Sequence, residues 1–231
     1  MMRAVTLLVF YTVLLVLIAP FVLLCMISGM REPLIAVGKW AMRVSGALLG
    51  VKVEMSGIER VDPKTAYVFM PNHLSFLDGP MMLMVIPRPV RAIVKKSVFA
   101  IPVLGWAMLH VGFVPVDRKG ESGGKKSIEK AARLMKERGY SFMIYPEGTR
   151  SLDGKLQRFR RGGFFLAIAG GAPIVPVTIR GTFELMPKGQ FGAKGGTVSV
   201  VFHPPVPVDG CSVGDMEGLI EKVRAAVSSG L

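Results

Sequence analysis

The chain has 231 residues, 51 % of them hydrophobic, with 29 Lys and Arg against 16 Asp and Glu for a formal net charge of +13. That length suits one domain plus an appendage. Two cysteines, Cys25 and Cys211, argue against a disulfide framework or a metal cluster and fit a reducing compartment. The cations interleave with Gly, Pro and aliphatic runs, and no zinc-finger, basic-zipper or RNA-recognition signature appears. The charge therefore points to anionic lipid or a phosphorylated substrate and not to nucleic acid.

Residues 4 to 30 carry no charge, and Arg3 and Arg31 bracket them. At about 1.5 Å per residue this run can cross a hydrocarbon core of about 30 Å, and it exceeds the roughly 7–15 apolar residues of a signal peptide. An uncleaved anchor, kinked at Pro20, is expected. Residues 33–49 read as a second, more amphipathic helix whose Trp40, Lys39 and Arg43 suit a headgroup layer. The two form either a hairpin dipping into one leaflet or a spanning helix followed by a surface helix. Residues 1–49 are thus assigned to anchoring helices and 50–231 to the main domain.

Beyond residue 50 the periodicity changes. Val51–Met55 alternates as an edge strand does, and short apolar runs at 66–70, 92–94, 113–116, 141–145, 174–179 and 197–202 read as strands. Helical patterns fall at 76–86, 127–138, 163–169 and 213–228. Strands alternating with helices predict a layered α/β domain on a mostly parallel or mixed sheet. The segment 120–127 imitates a phosphate-binding loop but has the wrong spacing and is expected to be a solvated loop. Gly189 to Gly196 reads as a hairpin loop, and His110 and His203 as structural.

Chemistry concentrates in two places. Pro71-Asn72-His73-Leu74-Ser75-Phe76-Leu77-Asp78 follows a buried strand and opens a helix. On a regular helix a five-residue offset turns about 140° net. His73 and Asp78 therefore meet only if His73 sits in the turn and Asp78 in the first helical turns. Asp78 then accepts the imidazole N–H and fixes its tautomer. The plainer alternative is a helix start capped by Asn72 or Ser75. The second place is Tyr145-Pro146-Glu147-Gly148-Thr149-Arg150-Ser151, at a strand's C-terminal end, where open α/β sheets bind ligands. Arg150 offers a planar fork to a phosphate; a turn with a surface Glu147–Arg150 pair is the alternative.

Asn72-His73-x4-Asp78, Gly112-Phe113-Val114-Pro115-Val116-Asp117-Arg118, Tyr145 to Ser151, and Ile174-Val175-Pro176-Val177 occur in that order. Together they resemble the four signature blocks of the glycerolipid acyltransferases, the 1-acylglycerol-3-phosphate acyltransferase family. The resemblance covers residues 66–180; Pro115 stands where the family has a strand residue such as Ile. It implies His73 as general base for the acceptor's sn-2 hydroxyl and Asp78 as its orienting partner. It implies Arg118, Glu147, Gly148, Thr149 and Arg150 as the glycerol-phosphate site, with Lys95 or Lys96 adding to it. Ile174, Val175, Pro176 and Val177 would help form an acyl or acceptor pocket.

Phosphatidic acid would be the product. Its makers would use acyl-CoA or acyl carrier protein as co-substrate, with no metal and no other cofactor, at a membrane's cytoplasmic face (the inner membrane in a bacterium). The partners would be membrane lipids, lysophosphatidic acid and the acyl carrier. General-base help contributes roughly 10²–10⁴, about 3–5 kcal/mol, and backbone N–H groups near Gly148 are expected to hold the oxyanion. An acyl-enzyme on Ser75 is disfavoured by the lack of a Gly-x-Ser-x-Gly elbow. The cations Arg88, Arg91, Lys95, Lys96, Arg158, Arg160 and Arg161 are expected to face lipid, phosphate or carrier. Two alternatives stay open: acylation of another lysolipid, and a non-catalytic membrane lipid-binding protein.

Overall fold

The computed structural model describes residues 2–117, 121–190 and 192–231. Helix α1 (Met2–Ser28) continues through Pro20, and α2 (Glu32–Leu49) folds back along it. Pro33 sits in the first turn of α2, where a missing N–H costs nothing. Tyr11 OH lies 2.7 Å from Ser45 Oγ, and the Phe10 ring stands 6.1 Å from that of Trp40. The start of α1 therefore meets the later turns of α2, which makes an antiparallel hairpin.

Seven strands follow: β1 (Val51–Ser56), β2 (Val68–Pro71), β3 (Val90–Lys95), β4 (Val114–Val116), β5 (Ser141–Met143), β6 (Ile174–Arg180) and β7 (Gly196–Phe202). They form one sheet in the order β1-β7-β6-β2-β5-β3-β4. β6, β2, β5, β3 and β4 run parallel; β7 is antiparallel to β6, and β1 pairs parallel with β7 at the far edge. The sheet is thus mixed and mostly parallel, with Val51–Ser56 on an edge as its alternation predicts. Pro115 lies in β4, the opposite edge, where a strand tolerates a residue without an N–H.

Parallel strands need crossovers. These are α3 (Asp78–Val85), α4 (Leu104–Val111), α5 (Glu121–Arg138) and α6 (Gly162–Gly170), with the short α7 (Thr182–Leu185) and the closing α8 (Met216–Ser229) beyond them. Side chains alternate across β2, so Phe69 faces one layer while Val68 and Met70 face the other. The first layer holds Val22, Cys25 and Leu34 of the hairpin, Met81 and Met82 of α3, and Val111 of α4. The second holds Ala131 and Met135 of α5, Phe164 and Leu166 of α6, and Val223 and Val227 of α8. Each such large side chain contributes about 1.5–3 kcal/mol on burial.

Three expectations change. Helix α5 begins at Glu121 and absorbs most of the segment expected to be a loop; with no proline to stop it, two glycines at about 1 kcal/mol each do not break it. Helix α4, unanticipated, makes the β3–β4 crossover. The closing helix starts later than 213, because Ser212 and Asp215 form a capping box around a 3-10 turn first.

Candidate active site

The C-terminal ends of β2, β5 and β3 lie side by side, and the site is built on that edge. Pro71 is the last residue of β2, paired with Val177. Asn72 then acts as a side-chain strand: its Nδ2 donates to Ile179 O at 2.9 Å, and its Oδ1 accepts the Ile179 N–H at 2.7 Å. Two buried bonds of about 0.5–1.5 kcal/mol each clamp the turn to β6. His73 is thereby delivered into the turn and Asp78 to the first residue of α3. His73 Nδ1 lies 2.8 Å from Asp78 Oδ2, and the same oxygen accepts the backbone N–H of Leu74 at 2.7 Å and Ser75 at 2.8 Å. The expected juxtaposition is present, and Asn72 and Ser75 are not helix caps.

With Nδ1–H donating to Asp78, the free lone pair is on Nε2. The His73 side chain is 18 % exposed while that of Asp78 is sealed. Tyr145 stacks on the imidazole, with centroids 3.9 Å apart and planes 16° from parallel. The Tyr145 hydroxyl is buried without a hydrogen-bond partner, and burial, then the charge of Asp78, pushes it well above the ordinary tyrosine range.

The β5 loop holds the backbone of His73 from both sides. Glu147 Oε1 accepts the His73 N–H at 2.6 Å, and the Ser151 N–H donates to His73 O at 2.8 Å. Glu147 Oε2 accepts the Gln157 N–H at 2.9 Å. Both Glu147 oxygens are engaged with backbone amides and the residue is buried. It therefore braces His73 and makes no ion pair with Arg150. Burial pushes its carboxyl above the usual range, against the pull of the two amides.

The other expected residues divide. Thr149 and Arg150 lie half-buried in the turn, and Gly148 adopts a φ of +74°, open to glycine at little cost. A Cβ on Gly148 would come within 3.0 Å of Arg160 Cδ, so the glycine also lets that guanidinium lie across the turn. The Gly148 N–H donates to Tyr145 O inside the turn and is committed there, so the expected oxyanion donor is not this amide. Lys95 ends β3 and Lys96 opens the 3-10 turn after it; both are exposed and border a groove with Asp117. With β5 between β3 and β2, two spacings of about 4.8 Å put them about 10 Å from β2, on the rim and not beside His73. Arg118 lies outside the described residues.

Two of the expected groups are buried. Ile174, Val175, Pro176 and Val177 lie inside β6 between β2 and β7 and are not among the residues that line the apolar pocket beside the catalytic turn; they fix β6, and through Ile179 they fix Asn72. Arg91 faces no ligand: it is buried, bonded to Val111 O and Glu32 Oε1, with its guanidinium 3.5 Å from the Tyr140 ring centroid. Ser75 is sealed as well. Its hydroxyl donates to Met186 O at 2.7 Å and accepts from Leu77 N, which leaves no nucleophile at that position.

The apolar pocket lies elsewhere. A cavity of about 260 Å³ opens beside the catalytic turn, lined by Tyr11, Met42 and Leu49 of the hairpin, Phe76 and Met84 around α3, and Met186. Sequence reasoning also missed Lys188 and Gln157. Lys188 Nζ lies 3.3 Å from both Thr149 Oγ1 and Arg150 O. Gln157 Nε2 donates to Thr149 O at 3.2 Å. Neither belongs to a motif; only the return of the chain past β6 brings Lys188 to the turn. Among the described residues no three His, Cys, Asp or Glu side chains converge as a metal site.

A parallel α/β sheet carrying a His–Asp dyad at its ligand edge, next to an apolar cavity, describes an acyl-transfer site, and the comparisons agree. The acyltransferase family model matches residues 52–180, more than half the chain, and the chain belongs to that family. Over 157 residues it is 38 % identical to the chloroplastic 1-acyl-sn-glycerol-3-phosphate acyltransferase BAT2 of Brassica napus, covering 67 % of this chain and 45 % of that protein. It is 30 % identical over 177 residues to the human 1-acyl-sn-glycerol-3-phosphate acyltransferase alpha, covering 77 % and 62 %. The chain spans about half the length of the chloroplastic plant relatives it matches. The crystal structure of the 1-acyl-sn-glycerophosphate (LPA) acyltransferase PlsC from Thermotoga maritima superposes with a TM-score of 0.83 at 26 % identity, covering 99 % of this chain and 93 % of that one.

Proposed function

We propose that the chain transfers a fatty acyl group from a thioester carrier to the sn-2 hydroxyl of 1-acyl-glycerol-3-phosphate, giving phosphatidic acid, on the cytoplasmic face of a membrane entered by α1. The observation that carries this reading is the His73–Asp78 pair, fixed in a half-open turn beside an apolar cavity and the Arg150 turn. The printed activities of the relatives support the acceptor.

His73 Nε2 takes the proton from the acceptor hydroxyl as the oxygen attacks the thioester carbonyl carbon. Asp78 holds the tautomer and balances the imidazolium that forms. The tetrahedral intermediate collapses, the C–S bond breaks, and the imidazolium returns its proton to the departing thiolate. Acyl-CoA or acyl carrier protein serves as donor, and no metal or further cofactor enters any step. The sealed Ser75 favours direct transfer over an acyl-enzyme. Arg150 grips the acceptor phosphate, a role the family resemblance also gives to Arg118, while Lys95 and Lys96 on the rim face the anionic carrier and lipid headgroups. The acyl chain lies along the hairpin-lined cavity.

The test is an acceptor panel. Purified protein is supplied with acyl-CoA or acyl carrier protein and with lysophosphatidic acid, other lysophospholipids or monoacylglycerol. Phosphatidic acid from the first acceptor is expected. Acylation of the phosphate-free acceptor alone overturns the reading.

A further inference from the structure

The uncharged face of α1 does not end where the catalytic domain begins. In its last turns Val22 and Cys25 are buried against the domain, while Leu23, Leu24 and Ile27 on the same turns point outward, Ile27 at 77 % exposure. If α1 is embedded in lipid to its end, whatever packs on those turns reaches the membrane too. Helix α4 packs there, against both α1 and α2. The turn between the two hairpin helices is tied to its C-terminus: Arg31 Nε donates to His110 O at 3.0 Å, and His110 Nε2 lies 2.8 Å from Met30 O.

The outer side of α4 and its entry is apolar. Trp106 is 57 % exposed, Leu109 47 % and Ile101 42 %, and Leu104 joins them. A crossover helix of a soluble domain turns such residues inward. Tryptophan, amphipathic and large, belongs at the boundary of headgroup and acyl chain. The exposed Lys95 and Lys96 precede this patch in the chain and can pair with anionic headgroups.

We propose that α4 is a second membrane contact, its Trp106–Leu109 face lying in the headgroup layer of the leaflet that α1 enters. The occupant is a lipid surface, because the patch is continuous with the apolar face of α1. Two contacts, unlike one, fix the tilt of the domain. The chain enters α4 from β3, whose C-terminal end shares the edge that carries His73, so this tilt brings the catalytic edge to the headgroups. The inference rests on the reading of α1 as membrane-embedded.

The two tryptophans, Trp40 and Trp106, make it testable. Full-length Trp40→Phe, leaving Trp106 as sole reporter, is reconstituted into vesicles of phosphatidylcholine and phosphatidylglycerol with or without acyl-brominated lipid. Flotation of the vesicles in carbonate first establishes embedding. The Trp106 emission is expected to fall with brominated lipid and to resist aqueous iodide. Protein that floats while Trp106 is quenched by iodide and untouched by brominated lipid overturns the α4 contact and leaves the anchor standing. Protein that does not float overturns both. If Trp40→Phe fails to fold, a single bimane label on Leu109→Cys, in a background with Cys25 and Cys211 replaced by Ala, reads the same two quenchers.

Discussion

Substituting Gln for Glu147 keeps the side-chain shape and removes its charge. The carboxylate accepts the His73 N–H at 2.6 Å through one oxygen and the Gln157 N–H at 2.9 Å through the other. An amide has a single oxygen, so whichever way it flips, one of these backbone donors faces an NH₂ group. Leaving a buried donor unpaired costs roughly 1–3 kcal/mol. The neutral amide escapes part of the desolvation that already pushes the Glu147 carboxyl upward. The net loss is therefore put at about 1–3 kcal/mol, which at about 2–4 °C per kcal/mol lowers the melting temperature by roughly 2–12 °C. The larger effect is on rate. Loss of the His73 bond frees the backbone that aims the imidazole, loss of the Gln157 bond loosens the brace behind it, and a displacement near 1 Å can cost about 10² in rate. Initial rates against lysophosphatidic acid should show kcat reduced about 10- to 100-fold with KM changed less than about twofold. A raised acceptor KM with kcat intact would refute the reasoning and restore Glu147 to the phosphate site.

Tyr145→Phe removes a buried hydroxyl that has no partner and keeps the ring over His73. Stability should hold or rise by up to about 1 kcal/mol in urea titrations and kcat should persist, whereas Tyr145→Leu should lower kcat; a large kcat loss in the Phe variant would implicate the hydroxyl in chemistry. Lys188→Ala should raise the acceptor KM roughly 3- to 10-fold with kcat little changed, because two of its three N–H donors face Thr149 and Arg150 and the third is left for a phosphate; equal changes with a phosphate-free acceptor would count against that role. His203 donates from Nε2 to Thr178 Oγ1, whose own proton goes to Val227 O. Burial, then Arg60, lowers its pKa below 6.5, so on acidification the unfolded chain takes the proton first. Stability should thus be lost as pH falls from about 6.5 towards the depressed folded value, and His203→Gln should flatten that slope in urea titrations at several pH values; an unchanged slope would assign it to other groups.

Local chemistry made some elements legible in the sequence. Four consecutive buried residues in β2 and the alternation of β1 depend on periodicity alone, and each strand falls within a few residues of its expected place. The geometry of a strand-to-helix turn allowed the His73–Asp78 meeting, and the four-block resemblance made it the expected one. What stayed hidden depends on partners distant in the chain. Glu147 looks like a ligand in its motif, and only the depth of the β5 loop shows that backbone amides occupy both oxygens. The resemblance gives Ile174–Val177 a pocket role, and their apolar character fits a pocket and a core equally well. The cavity is assembled from Tyr11, Met42, Phe76 and Met186, residues up to 175 positions apart, and no pattern in one segment announces it.

The central claim is that the imidazole at position 73 receives the hydroxyl proton during direct transfer. Single-turnover transfer of labelled acyl thioester to lysophosphatidic acid, comparing wild type with His73→Ala of matched circular dichroism, addresses it directly. Transfer slowed by about 10²–10⁴ with acceptor binding preserved is the predicted result. A variant that transfers at a rate near that of the wild type contradicts the account.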